Sequence, residues 1–221
     1  MSMGPSTSAP GVERAQHQFE LSIVRIGPNT VMRTLQAMRE LEGASAATQL
    51  ASAARLPPIP TDQMIPEAWF VRTIEALRTQ LPSERAERVL ARAGRLTSDY
   101  VRAHRIPPFA RRLLGMLPVR IGLPRLLAAI KRHAWTFVGA GSFQVLGPFP
   151  GTLILRNAPT CRTTDPTFGG SYYSAAFEGL LQIVSDRLRV REVECGRETG
   201  KHVCRFDIHF QPYENSIAQS A

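Results

Sequence analysis

The stretch VREVECGRETGKHVCRF, residues 190–206, carries Cys195 and Cys204 on either side of a polar, glycine-containing segment. Thiols so placed could clip a metal, form a disulfide, or sit as small half-buried hydrophobes on an ordinary hairpin. Cys161 is the third cysteine of the chain. Three cysteines do not make the disulfide framework of a small secreted domain, and a reducing cytoplasm keeps such thiols free. They also fall short of the four thiolates that an iron–sulfur cluster takes from one chain.

Other chemistry is absent from the sequence. It holds no G-x-x-x-x-G-K-[ST], H-E-x-x-H, G-x-S-x-G or C-x-x-C motif. The nearest approach to a dinucleotide fingerprint is GAGSFQ at 139–144, which lacks the third glycine and precedes strand-like rather than helical sequence. NADPH and flavin are therefore not supported by motifs.

The net charge of +9 is concentrated. Residues 101–164 hold ten basic residues and no Asp or Glu, whereas the segments on either side are close to balanced. Such a stretch makes an electropositive surface for an anionic partner. Nucleic acid is not the expected one, because the basic residues lie between proline-interrupted apolar helices with no helix-turn-helix or RNA-binding signature. No apolar run reaches the ~20 residues of a membrane span. The start, MSMGPSTSAPGVERAQ, lacks the apolar core of a signal peptide. The expected location is the cytoplasm.

These residues need elements to position them. Residues 28–43 show helical spacing through Val31, Leu35, Met38 and Leu41, closed by Gly43. A short Ala-rich helix follows, then the breaker LPPIP at 56–60. Residues 66–81 read as a helix opened by Pro66. Residues 83–105 form the longest, with Val89, Leu90, Ala93, Leu96, Tyr100, Val101 and His104 on one face. Two short basic helices, FARRLLGML and PRLLAAIKRHA, come next, the second with Leu126, Leu127, Ile130 and His133 in line. From Trp135 the content turns β-branched and aromatic, so WTFVGAGSFQVLG and TLILRNA read as strands. Residues 171–187 return to helical period, and LRVREVEC and HVCRFDIHF alternate as two antiparallel strands. The expected class is α+β: a tail at 1–18, a helical region at 19–134, a ββαββ unit at 135–212 and a second tail at 213–221.

The segment AAFEGLLQIVSDRLRVREVECGRETGKHVCRF resembles the vinyl-4-reductase domain, which also occurs in sensory modules of aromatic-responsive transcription regulators. RIGPNTVMRTLQAMRE, SDYVRAHRIPPFARRLLGMLP and LPRLLAAIKRHAWTFVGAG are similar to the N-terminal half of the bacteriochlorophyll-biosynthesis 4-vinyl reductase family of purple phototrophs. The resemblance spans roughly residues 19–212. It implies a role at the Mg-porphyrin or protochlorophyllide stage, around reduction of the 8-vinyl (old 4-vinyl) group. With no cofactor motif, binding or delivery of a Mg-tetrapyrrole is favoured. The alternative is the divinyl tetrapyrrole reductase itself, an oxidoreductase. Other pigment-biosynthesis enzymes are implied partners.

In the sensory relatives, zinc is held by Cys, Glu, Cys and Cys. By position, Glu192, Cys195 and Cys204 match three of these. The relatives' first cysteine lies near Gly169–Ser171; here Cys161 fills that role if the loop TTDPTFGG folds back. A Mg-tetrapyrrole makes three demands: an apolar aromatic cleft, cations for its carboxylates, and an axial ligand for magnesium. Trp135, Phe137, Phe143, Tyr172, Tyr173 and Phe177 are the aromatic candidates. Arg105, Arg111, Arg112, Arg120, Arg125 and Arg132 are the cations. His133 and His104 are the axial candidates, His133 preferred because it adjoins the basic stretch and Trp135; taken singly, each also reads as a hydrogen-bonded core histidine. His209 is expected to face solvent, and Glu178 to be a surface charge. The basic apolar segment 105–134 could also lie on an anionic leaflet, peripheral to the inner or intracytoplasmic membrane.

Overall fold

In the computed structural model, residues 24–164, 168–198 and 201–212 are described. The tails expected at 1–18 and 213–221 lie outside them. Strand β1 (Arg25–Ile26) pairs antiparallel with β2 (Ile65–Pro66). Between them run α1 (Asn29–Glu42) and α2 (Ala44–Ala53). Helix α1 buries Val31, Thr34, Ala37 and Met38, but Leu41, expected on the same stripe, is 49% exposed. Helix α3 (Glu67–Gln80) starts one residue after Pro66, which stays extended at ψ 133° in β2.

Helix α4 (Ser83–His104) buries Val89, Leu90 and Ala93 completely. Then come α5 (Pro108–Met116) and α6 (Val119–Arg132), each entered from an extended proline, Pro107 or Pro118. Pro118 rather than Pro124 sets the start of α6, and the helix runs through Pro124. Residues Trp135–Val138, expected as strand, form the single-turn helix α7. Tertiary contacts override β-propensity there: the Thr136 carbonyl accepts from Gly27 N, and Phe137 turns inward onto Tyr173 and Phe177.

The second half holds β3 (Ser142–Leu146), β4 (Thr152–Arg156), a 3₁₀ turn at Pro159–Arg162, α8 (Gly170–Leu181), β5 (Leu188–Glu198) and β6 (Lys201–Phe210). The four strands form one antiparallel sheet in the order β3-β4-β6-β5. The class is mixed helix and antiparallel sheet, in line with α+β. Helix α8 stops at Leu181, short of the expected 187, and the Arg187 guanidinium donates to the Gln211 carbonyl at 3.0 and 3.2 Å. That bond ties the turn to the end of β6.

Helix α8 packs between the sheet and α4, and α1 packs on α4. The α4–α8 crossing depends on glycine from both sides. A Cβ on Gly94 would overlap the Tyr172 carbonyl, and one on Gly179 would overlap the Ser98 hydroxyl. Close approach buries Tyr172 and Tyr173, each 1% exposed. Both hydroxyls keep partners, as buried phenols should: Tyr172 with Thr97 at 3.1 Å, and Tyr173 donating to the Phe137 carbonyl at 2.9 Å.

Candidate functional site

The cysteines converge at the join of β4, β6 and the 3₁₀ turn. On a regular strand, residues three apart point to opposite faces, so Glu192 and Cys195 would be separated by the sheet. The register of β5 slips between Glu192 and Glu194, leaving Val193 as the extra residue of a bulge. Glu192 then opposes Phe206 and Cys195 opposes Cys204, two positions of β6 that share the buried face. Val193 is turned out, 43% exposed. The chain after β4 brings buried Cys161 Sγ within 3.1 Å of Cys204 Sγ. Residues 165–167 of that loop lie outside the described residues.

Cys195 and Cys204 are joined as a cross-strand disulfide, against the expectation of reduced thiols. The two stand directly opposite each other in the β5–β6 ladder, which brings their sulfurs together. The three sulfurs lie within 4.8 Å of one another. Zinc–thiolate bonds of about 2.3 Å place tetrahedral sulfurs roughly 4 Å apart, so the reduced trio fits a metal with small side-chain adjustment. A bonded pair does not supply two thiolates; reduction would. Burial pushes the Cys161 thiol above its ordinary value, opposed by the Thr160 hydroxyl and the Ala158 backbone, while the Glu192 carboxylate adds to the rise.

Glu192 lies beside this cluster rather than within it. Its carboxylate lies against Gly170, at the start of α8, where any Cβ would overlap it. Burial pushes Glu192 up to about 7, and the Glu87 carboxylate adds to the rise. Its Oε1 is buried without a hydrogen-bond partner among the described residues. Glu87 itself reaches from α4 to α8, accepting from Gly169 N at 2.9 Å and from the Ser171 hydroxyl. A carboxylate there satisfies exposed N–H groups and the positive end of the helix dipole. The two glutamates face a cavity of about 410 Å³ also lined by Arg95, Ser171, Glu178 and Arg191. Glu178, expected as a plain surface charge, is half-buried and accepts from Val190 N at 3.1 Å.

The tetrapyrrole candidates are distributed differently. Tyr172, Tyr173 and Phe177 lie in the closed core, joined by Phe137, Phe143 and Phe206 in a ring cluster with centroids 5.3–6.5 Å apart. Phe137 is half-buried and Trp135, two residues earlier, is 58% exposed. His133 is exposed at the C-terminal cap of α6, next to Trp135 in the chain. His104 is not in the core: it is exposed at the end of α4, stacked on Tyr100 at 4.5 Å, with Nδ1 3.1 Å from the Tyr100 carbonyl. Arg105 also approaches Tyr100, at 6.0 Å, and Arg120 lies over Phe149 at 5.4 Å. Arg112, Arg125 and Arg132 are exposed, and Arg111 is half-buried. The structure joins Phe137 to Tyr173 and Phe177, and gathers His104 and Arg105 on Tyr100, which is not among the rings of that cluster. His209 faces solvent as expected.

Two functional-looking groups escaped the sequence reading. Glu67, fully buried at the start of α3, accepts from Ala140 N at 2.9 Å and pairs with Arg162 at 3.2 Å. Arg162 also donates to the Asn157 carbonyl at 2.9 Å. The pair ties the helical half to the turn that carries Cys161. An acidic residue in the first turn after a proline was the one available signal, and it reads the same on any helix start.

No protein-family model matches the chain. The bacteriochlorophyll synthase 23 kDa chain of Cereibacter sphaeroides is 36% identical over 187 residues, covering 83% of this chain and 90% of the relative. The chain belongs to the bacteriochlorophyll synthase 23 kDa chain family. The Rhodobacter capsulatus member is 34% identical, covering 84% of this chain and 87% of its own length. Family membership supports a role in bacteriochlorophyll biosynthesis. Among solved structures, a protein studied for haem distortion in the H-NOX family superimposes with a TM-score of 0.55 at 12% identity, over 85% of this chain and 96% of that one. A Tt H-NOX variant gives 0.53 at 14% identity, with the same coverage. At this identity the likeness describes the fold, an H-NOX-like arrangement of helices on an antiparallel sheet. No helix among the described residues is long and apolar enough to cross a membrane.

Proposed function

We propose that this member of the family binds and delivers a Mg-tetrapyrrole intermediate around the 8-vinyl reduction step. The observation that carries this reading is the pairing of a bacteriochlorophyll-pathway family with an H-NOX-like fold, one of whose solved members was studied for its haem. The ring cluster of Phe137, Phe143, Tyr173 and Phe177 supplies the apolar wall, closed here by α7. Outward movement of α7 would open that wall beside His133, Trp135 and the arginines of α5 and α6. A bound macrocycle would supply an electrophilic magnesium, and the His133 imidazole would be the residue to hold it. Arg111, Arg112 and Arg132 would hold its carboxylates, and residues 135–212 would form the ligand-binding unit.

Titration of the purified chain with Mg-protoporphyrin, read in the Soret band, tests the reading. Binding should weaken in His133→Ala and in an Arg111→Ala/Arg112→Ala double variant. Unchanged affinity in both removes the site, and no binding by the wild-type chain removes the function. The reductase alternative requires an ethyl product from divinyl substrate and an added reductant. No product with NADPH, flavin or ferredoxin would exclude it as a stand-alone activity. A structural zinc on Cys161, Cys195 and Cys204, with the Glu192 carboxylate swinging in from beside them as the fourth ligand, belongs to the same reading. Metal analysis of chain purified under reducing conditions should then give about one equivalent, lost in Cys161→Ser. A peripheral position at the membrane and contact with other pigment enzymes suit an apolar intermediate.

A further inference from the structure

We propose that the outward face of α5 is a docking surface for an anionic lipid bilayer. Helix α5 has nine residues and buries none of them. Its apolar side chains face the wrong way for a helix packed on a globular core. Phe109, Leu113 and Met116 are 74%, 57% and 82% exposed. At spacings of four and three they share one helical face. The opposite side is the one that packs: Leu114 touches the core, and Gly115 lies close to the Ile183 carbonyl. A Phe, Leu and Met strip held in water by its own anchoring is a surface that awaits an apolar partner.

The surrounding charge selects which partner. No Asp or Glu occurs from residue 101 to 164, while Arg105, Arg112, Arg120 and Arg125 are exposed before, on and after α5. A short helix with protruding aromatic and thioether side chains, and guanidiniums with no carboxylate paired to them among the described residues, matches a leaflet of anionic headgroups over acyl chains. The apolar strip would enter the acyl boundary, and the arginines would stay at phosphate level. The surface deepens the peripheral membrane position of the proposed function and shares Arg112 with the pigment site, but docking needs no bound tetrapyrrole.

Flotation of the full-length purified chain with phosphatidylcholine vesicles, with and without phosphatidylglycerol, tests it. The wild-type chain should float with the anionic vesicles, and far less with neutral ones or in high salt. Phe109→Ser combined with Met116→Ser should lower partitioning by about tenfold or more. Both positions are solvent-exposed, so circular dichroism and thermal midpoint should be unchanged. Leu41→Ser, at an exposed leucine on α1, should float like wild type. The proposal is overturned by absence of flotation, by equal flotation on neutral vesicles, or by a double variant that floats normally. Self-association in lipid-free buffer that the double variant abolishes, without flotation, assigns the face to a second copy and overturns it as well.

Discussion

Helices α8 and α5 are both rich in apolar residues, yet α8 buries seven of its twelve residues and α5 none of its nine. Composition does not separate them; position does. Helix α8 is held between α4 and the sheet, with glycines at the crossing that let the backbones close. Helix α5 begins and ends at prolines and touches the body along one edge, so its largest side chains point away. A core helix is defined by what lies on both sides of it, whereas a surface helix shows what it is waiting for.

The sharpest way to break the comparison is to truncate the same residue type in both helices. Phe177→Ala in α8 should cost about 3–5 kcal/mol by urea denaturation, because the ring is 2% exposed and lies among four other rings. A loss below about 1 kcal/mol would mean the aromatic cluster is loosely packed. Arg162→Ala should cost about 3 kcal/mol or more, since it removes the cation paired with the fully buried Glu67 carboxylate. A near-neutral result would show the site already hydrated. Gly94→Ala should cost about 1–3 kcal/mol, read as a lower thermal midpoint, by forcing α4 away from the Tyr172 carbonyl.

Glu192 offers a test at the edge of the α8 interface. Its carboxyl is raised to about 7 from an ordinary 4.5, chiefly by burial. The folded state therefore holds the proton more tightly than the unfolded chain. Stability is highest below the ordinary value and falls as pH rises from about 4.5 to about 7. Glu192→Gln should remove that fall and stabilise the metal-free chain at neutral pH by on the order of 1 kcal/mol, allowing for solvent in the cavity. Thermal midpoints that keep the wild-type slope in this variant would assign the pH dependence elsewhere. The smallest effect belongs to α5: Phe109→Ala should change stability by less than about 0.5 kcal/mol, the same truncation that is severe at Phe177.

Much of the framework was legible beforehand. The stripe Val89, Leu90, Ala93 marked the buried face of α4, and the alternation of the last two strands marked the β5–β6 hairpin. Those readings succeed because a helix or strand repeats its burial at a fixed period. Trp135–Val138 misread as strand because four residues carry too little period to outvote the contacts of Phe137 and Thr136. Of the candidate ligands, Glu192 and Cys195 come to one face of β5 through the bulge at Val193, which the sequence reading did not anticipate.

The sequence by itself determined the long helices and the strands of the large sheet, the acid-free basic stretch and the stock of thiols and rings, since each is a property of neighbouring residues. Tertiary structure decided that Cys161 meets Cys204 across 43 positions, that Glu67 is buried against Arg162, and that α5 turns its phenylalanine outward. The physical reason is that burial and long-range contact depend on what the rest of the chain brings to the other side, which no local pattern records.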